Sequence, residues 1–147
     1  MNSPFRYRKL GYAALTVTDL DRSVRFYRDL VGLSLVDQTA DTAWLRCSRD
    51  PHTLVLTQGP QAGLRRVGFE LESDAELERA FAHFQARDLA PRRLSADDAK
   101  ALRQGNTFRV REPHSGLDFE YYGCTTVLAR PFVPTVAQIA RLGHVVI

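Results

Sequence analysis

Four histidines, two cysteines and 17 acidic residues are the side chains best able to hold a metal ion or move a proton, and their spacing decides what they could do. His52, His83 and His114 fall in a turn, a helix and a loop of the pattern read below, with no ligand spacing among them. Cys47 and Cys124 are far apart and form no C-x-x-C arrangement. Asp97-Asp98 stands where a helix is expected to start, and acids there are solvated and favoured by the helix dipole rather than paired for catalysis. Ser115-Gly116 lacks the G-x-S-x-G surroundings of a nucleophile elbow. His144 is different. It stands third in the stretch Leu142-Gly143-His144-Val145-Val146-Ile147, which repeats Leu10-Gly11-Tyr12-Ala13-Ala14-Leu15 one small domain's length further on, with an imidazole where the first copy has a phenol. A histidine in an apolar strand is commonly satisfied by a backbone carbonyl; imidazole is also the commonest metal ligand.

The elements that must position these residues can be read from hydrophobic period. Leu10–Thr18 alternates as a strand, with Ala13, Leu15 and Val17 on one face and Tyr12, Ala14 and Thr16 on the other. Asp19 or Asp21 caps a following helix whose apolar stripe is Leu20, Val24, Tyr27 and Val31, and Gly32 stops it. Strands follow at Leu33–Gln38, Thr42–Cys47 and Thr53–Gln58, separated by turn-rich residues. After the linker Gly59–Gly63 the order recurs. Arg66–Glu72 is a strand, Ser73-Asp74-Ala75-Glu76 a capping box, and Leu77, Ala80, Phe81 and Phe84 the stripe of a second helix. Leu89–Leu94 is an edge strand because it contains Pro91, and Ser95–Gln104 is a short helical insertion. Thr107–Arg111 and Leu117–Tyr122 complete the second β-α-β-β-β unit. Residues 125–141, with Pro131 and Pro134, read as a connector containing one helical turn. Trp44, Phe26 and Tyr27 read as core and wall.

Length and composition fit this organisation. The 147 residues amount to one domain, and 44% hydrophobic content suffices for a core. The net charge of +3 comes from scattered arginines, with no basic run of five or more, so no nucleic-acid partner is expected. No apolar run approaches the roughly 20 residues that cross a membrane, and no membrane partner is expected. Two isolated cysteines and the lack of an apolar leader lead to the expectation of a cytoplasmic protein with reduced thiols.

Two β-α-β-β-β units in this order resemble the vicinal oxygen chelate superfamily, which includes glyoxalase I, bleomycin-resistance proteins and extradiol ring-cleaving dioxygenases. The matching residues are Gly11-Tyr12-Ala13-Ala14-Leu15-Thr16-Val17 with Asp19-Leu20-Asp21-Arg22-Ser23-Val24-Arg25-Phe26-Tyr27 in the first unit. In the second they are Val67-Gly68-Phe69-Glu70-Leu71 and Glu112-Pro113-His114-Ser115-Gly116-Leu117-Asp118-Phe119-Glu120-Tyr121. The resemblance implies an α+β fold in which two βαβββ units form an open, cup-shaped mixed sheet with helices on the outside. It implies a domain over 9–124, built of units 9–58 and 65–124, then the connector 125–141, and at 142–147 the first strand of a truncated second domain.

The resemblance also assigns positions. The family's metal ligands, carried onto this chain, fall on Tyr12, Arg66 and Glu120, of which only Glu120 is a ligand type; a guanidinium stays protonated and has no lone pair to give. Glyoxalase-like members add a carboxylate on the last strand of the first unit, where Thr53-Leu54-Val55-Leu56-Thr57 has none. Type I extradiol dioxygenases, whose N-terminal domain has lost its metal, fit better. They imply that His144 is the first Fe(II) ligand of a second domain, and that Tyr12, Arg66 and Glu120 are a vestigial metal-position cluster. By strand parity an Arg66–Glu120 ion pair joined by the Tyr12 hydroxyl is expected.

On this reading the chain is the non-catalytic N-terminal domain of a ring-cleavage dioxygenase, an oxidoreductase of aromatic catabolism that uses Fe(II) and O₂ on a catechol or biphenyl-diol-like substrate. The cofactor is expected in the full-length parent and not on this chain, the partner is a small aromatic substrate, and a homo-oligomer is expected. The alternatives are a metal-free small-ligand-binding protein of the bleomycin-resistance kind and a glyoxalase-like metal lyase. The strand at 142–147 is expected to add to a sheet edge, because an unpaired apolar strand is a liability.

Overall fold

A computed structural model describes residues 3–143 and 145; His144, Val146 and Ile147 lie outside the described residues, and with them the ligand expected at His144. The chain divides into two compact units. The first is Tyr12–Arg65 with Val127–Ile147; the second runs through Gly11 and resumes over Arg66–Thr126. Both divisions fall inside strands, within β1 (Tyr7–Val17) and β5 (Gly63–Leu71).

In the first unit the strand row is β2 (Ser34–Gln38), β3 (Thr42–Arg46), β4 (Leu54–Gln58) and β1. β1 and β4 are parallel, with Ala13 beside Leu54 and Leu15 beside Leu56, and the other pairings are antiparallel. Asp19 caps α1 (Leu20–Arg25), its carboxylate accepting from the Arg22 N–H at 2.9 Å. The helix continues as a π-helical turn, Phe26–Leu30, in which the Val31 N–H reaches back to the Phe26 carbonyl, and Gly32 ends it at φ +89°. Leu20 and Val24 bury against Ala13, Val17, Ala43, Leu45 and Leu56, and Tyr27 and Val31 pack at the margin, so the expected stripe faces the core.

The second unit repeats the plan as β5, β8 (Asp118–Tyr122), β7 (Thr107–Arg111) and β6 (Arg92–Arg93), with β5 and β8 parallel and the rest antiparallel. Its core of Leu71, Leu77, Ala80, Phe108, Val110 and Tyr121 lies between α2 (Asp74–Gln85) and one face of the row. Ser73 caps α2 by accepting from the Glu76 N–H. Glu76 turns away from the expected capping-box partner: its Oε2 accepts from the Arg6 N–H and its Oε1 from Arg79. The insertion is α3 (Ala96–Ala101), and β6 is the edge strand that Pro91 implied, shortened to two residues. The α+β class and the repeated β-α-β-β-β order agree with the sequence reading.

The connector is irregular. Residues 126–143 carry no helix or strand, in contrast to the helical turn expected there, and two prolines within 131–134 explain why. Leu142 and Val145 pack against the first unit's core, and neither they nor Gly143 is in a strand.

Candidate functional site

In the second unit, strand alternation sends Phe119 and Tyr121 of β8 toward α2 and Glu120 to the opposite face. Glu120 is completely buried there. Its Oε2 is 3.2 Å from Arg66 Nε and 2.7 Å from Arg109 Nε. Register explains both contacts. Arg109 of β7 lies directly opposite Glu120 in the antiparallel pair. Arg66 reaches Glu120 diagonally from β5, past Gly68, which is Glu120's direct neighbour in the parallel pair and has no side chain to obstruct the approach. Arg66 is 7% exposed, so the pair is desolvated and tight geometry is what makes it tolerable. The same face carries Asp118, 3.4 Å from Arg111, and Glu70, 3.4 Å from Arg8 and 3.2 Å from Lys9.

Tyr12 belongs to the first unit. It is fully buried, and its ring meets that of His52 edge-on at 4.6 Å and 81°. The structure therefore brings Arg66 and Glu120 together as an ion pair and sets Tyr12 beside His52. Two participants escaped the sequence reading. Arg109 could have been found from the register that pairs β7 with β8 in a hairpin. His52 carried no signal, since a histidine in a turn gives no hint that it will be 5% exposed.

These residues do not fit a resident divalent cation. The carboxylate of Glu120 is already matched by two guanidinium groups that would repel it, and an arginine cannot ligate. Among the described residues no three His, Cys, Asp or Glu side chains gather closely enough to hold a metal ion. Among the described residues no helix is long and apolar enough to cross a membrane either.

A concavity opens on the helix side of the same row. Its volume is about 540 Å³, and its walls include Phe5, Tyr7, Phe84, Phe119 and Tyr121. Burial pushes the Tyr121 phenol up, reinforced by the hydrogen-bonded Tyr7 hydroxyl, so this end of the cavity stays a neutral pair of phenols. Near its mouth the Ser115 hydroxyl and the Ser115 and His114 N–H groups hold the Glu112 carboxyl down to about 2.

The family model for the glyoxalase/bleomycin resistance protein/dioxygenase superfamily matches residues 9–121. The chain belongs to this superfamily. Among curated members, it is 34% identical over 116 residues to the manganese-dependent 2,3-dihydroxybiphenyl 1,2-dioxygenase of Geobacillus genomosp. 3, covering 78% of this chain and 36% of that protein. It is 25% identical to the biphenyl-2,3-diol 1,2-dioxygenase of Sphingomonas paucimobilis, covering 86% of this chain and 42% of that protein. Among solved superfamily structures, a variant of homoprotocatechuate 2,3-dioxygenase from Brevibacterium fuscum superposes with a TM-score of 0.77 at 30% identity, over 87% of this chain and 35% of that one. The chain thus spans well under half the length of these extradiol dioxygenases.

Proposed function

We propose that this chain is a metal-free scaffold domain, the N-terminal half of an extradiol ring-cleavage dioxygenase acting on a catechol or biphenyl-diol-like aromatic. The observation that carries this is the arginine-clamped Glu120, a carboxylate at the family's ligand position already neutralised by Arg66 and Arg109. A related dioxygenase is named as manganese-dependent, so the parent's metal is a divalent ion, Fe(II) or Mn(II). Such an ion would supply open positions for catecholate and O₂ when held by histidine and carboxylate donors, with His144 the first of them. Tyr12, Arg66 and Glu120 take no part in that coordination. Arg66 and Glu120 close the vacated position with a fixed ion pair, and Tyr12 fills its own unit with a buried ring, each keeping its part of the scaffold rigid.

A chimera tests this. Residues 9–124 replace the matching stretch of the Geobacillus enzyme, and metal content and cleavage of 2,3-dihydroxybiphenyl are measured. The chimera should keep its metal and its activity, and the chain alone should show neither. Stoichiometric metal and ring cleavage by the isolated chain would sink the proposal. A metal-free ligand-binding module is the second reading, and the aromatic cavity around Phe84 and Tyr121 favours it.

A further inference from the structure

Arg46 is a buried charge with no counter-charge among the described residues. It lies on β3 of the first unit at 4% exposure. Its Nη2 donates to two neutral acceptors, the carbonyls of Arg130 at 3.0 Å and Pro131 at 3.2 Å, and its Nη1 is buried with no acceptor. Burying a guanidinium without a carboxylate partner is expensive, and such groups normally acquire one. Arg46 lines a cleft of about 690 Å³ between β2 and the connector, within the range that holds a small molecule. Among the described residues three arginines line it, Arg28, Arg46 and Arg130, and no acid does. Arg28 is already matched by Asp29 at 2.6 Å, which leaves the surplus at Arg46 and Arg130. The remaining wall is largely apolar, including Leu33, Leu128 and Val133.

We propose that this cleft binds a small organic carboxylate with an apolar body, its carboxylate taken by Arg46 and its body covered by Leu33, Leu128 and Val133. A planar guanidinium is matched to the two oxygens of a carboxylate, and an apolar wall around one cation selects a monoanion with a hydrocarbon body over a fully hydrated inorganic anion. The proposal is independent of the ring-cleavage reading, because none of these residues belongs to the Glu120 cluster.

Benzoate is the probe, with benzyl alcohol and inorganic phosphate as comparisons, followed by calorimetric titration and thermal unfolding of the full chain. Benzoate should bind and raise the midpoint, and benzyl alcohol and phosphate should each bind at least about tenfold more weakly, a difference of about 1.4 kcal/mol. Arg46→Met should abolish benzoate binding. Because Arg46 also anchors residues 130–131, a second variant separates binding from folding. Ser34 is the direct cross-strand neighbour of Arg46, so Ser34→Asp places a carboxylate beside the guanidinium. That variant should unfold at a higher temperature without ligand and lose benzoate binding. The inference is overturned if benzoate does not bind the unaltered chain, if phosphate or benzyl alcohol binds as well, if both variants still bind benzoate normally, or if Ser34→Asp lowers the midpoint.

Discussion

On β8 of the second unit the face away from the helix carries Asp118, Glu120 and Tyr122, and Glu120 is clamped by two arginines. On β4, the corresponding strand of the first unit, the same face carries Val55 and Thr57. The two units keep one strand order and one core pattern, with Leu54 and Leu56 facing inward in one and Phe119 and Tyr121 in the other. The side turned away from the helix has been used for different ends. In the second unit it holds charge against charge. In the first unit it offers an aromatic ring pair, Tyr12 on His52, and a buried cation, Arg46, with no counter-charge among the described residues. Core positions are fixed by burial, so an internal repeat preserves them; the opposite face answers only to what it must hold.

The comparison breaks most visibly at Glu120. Glu120→Gln leaves two guanidiniums without their shared carboxylate and should cost ~3–5 kcal/mol in urea unfolding. Replacing Arg66, Glu120 and Arg109 together with methionine should recover most of that loss, since an apolar set of similar volume needs no partner. If Glu120→Gln proves neutral, the second unit's face is no more ionic than the first's.

The matching experiment in the first unit is smaller. His52→Ala removes the edge-to-face contact with Tyr12 and should cost about 1 kcal/mol from that ring pair. A loss as large as that of Glu120→Gln would erase the contrast between the two faces.

The smallest effect is at Glu112. Its carboxyl is depressed to about 2 by the Ser115 hydroxyl and the backbone N–H groups of the turn, against 4.5 for a free glutamate. Its contribution is present above the unfolded value and lost as pH falls from about 4.5 through about 2. Glu112→Gln and the unaltered chain should therefore differ in stability at pH 6 and converge below pH 2. A difference that grows on acidification would show that the turn does not rely on the ionised carboxylate.

Much of this was legible in the chain. Asp19 announced α1, Ser73 announced α2, Gly32 marked the end of the first helix, and Pro91 marked an edge strand; each is a local rule acting over a few residues. Placing Arg66 and Glu120 on one face required only strand parity together with family resemblance. What stayed hidden depends on separations that pattern does not encode. β1 begins at Tyr7, three residues before its apolar run, because Arg6, Arg8 and Lys9 find Glu70, Glu72 and Glu76 across the second unit. Local spacing makes Glu76 half of a capping box, but its carboxylate serves Arg6, seventy positions away. The π-helical turn at Phe26–Leu30 and the burial of Arg46 under residues 130–131 are likewise tertiary outcomes.

The two-residue strand β6 has a consequence for how the molecule keeps to itself. As the last member of its row it exposes little unpaired backbone, it follows a proline, and Arg92 and Arg93 are both exposed. At the far end of the other row, β2 shifts register between Leu35 and Asp37, which kinks the rim. Neither of these two margins offers a flat template, so a second copy's strand finds little backbone to pair with along β6 or across the kink in β2.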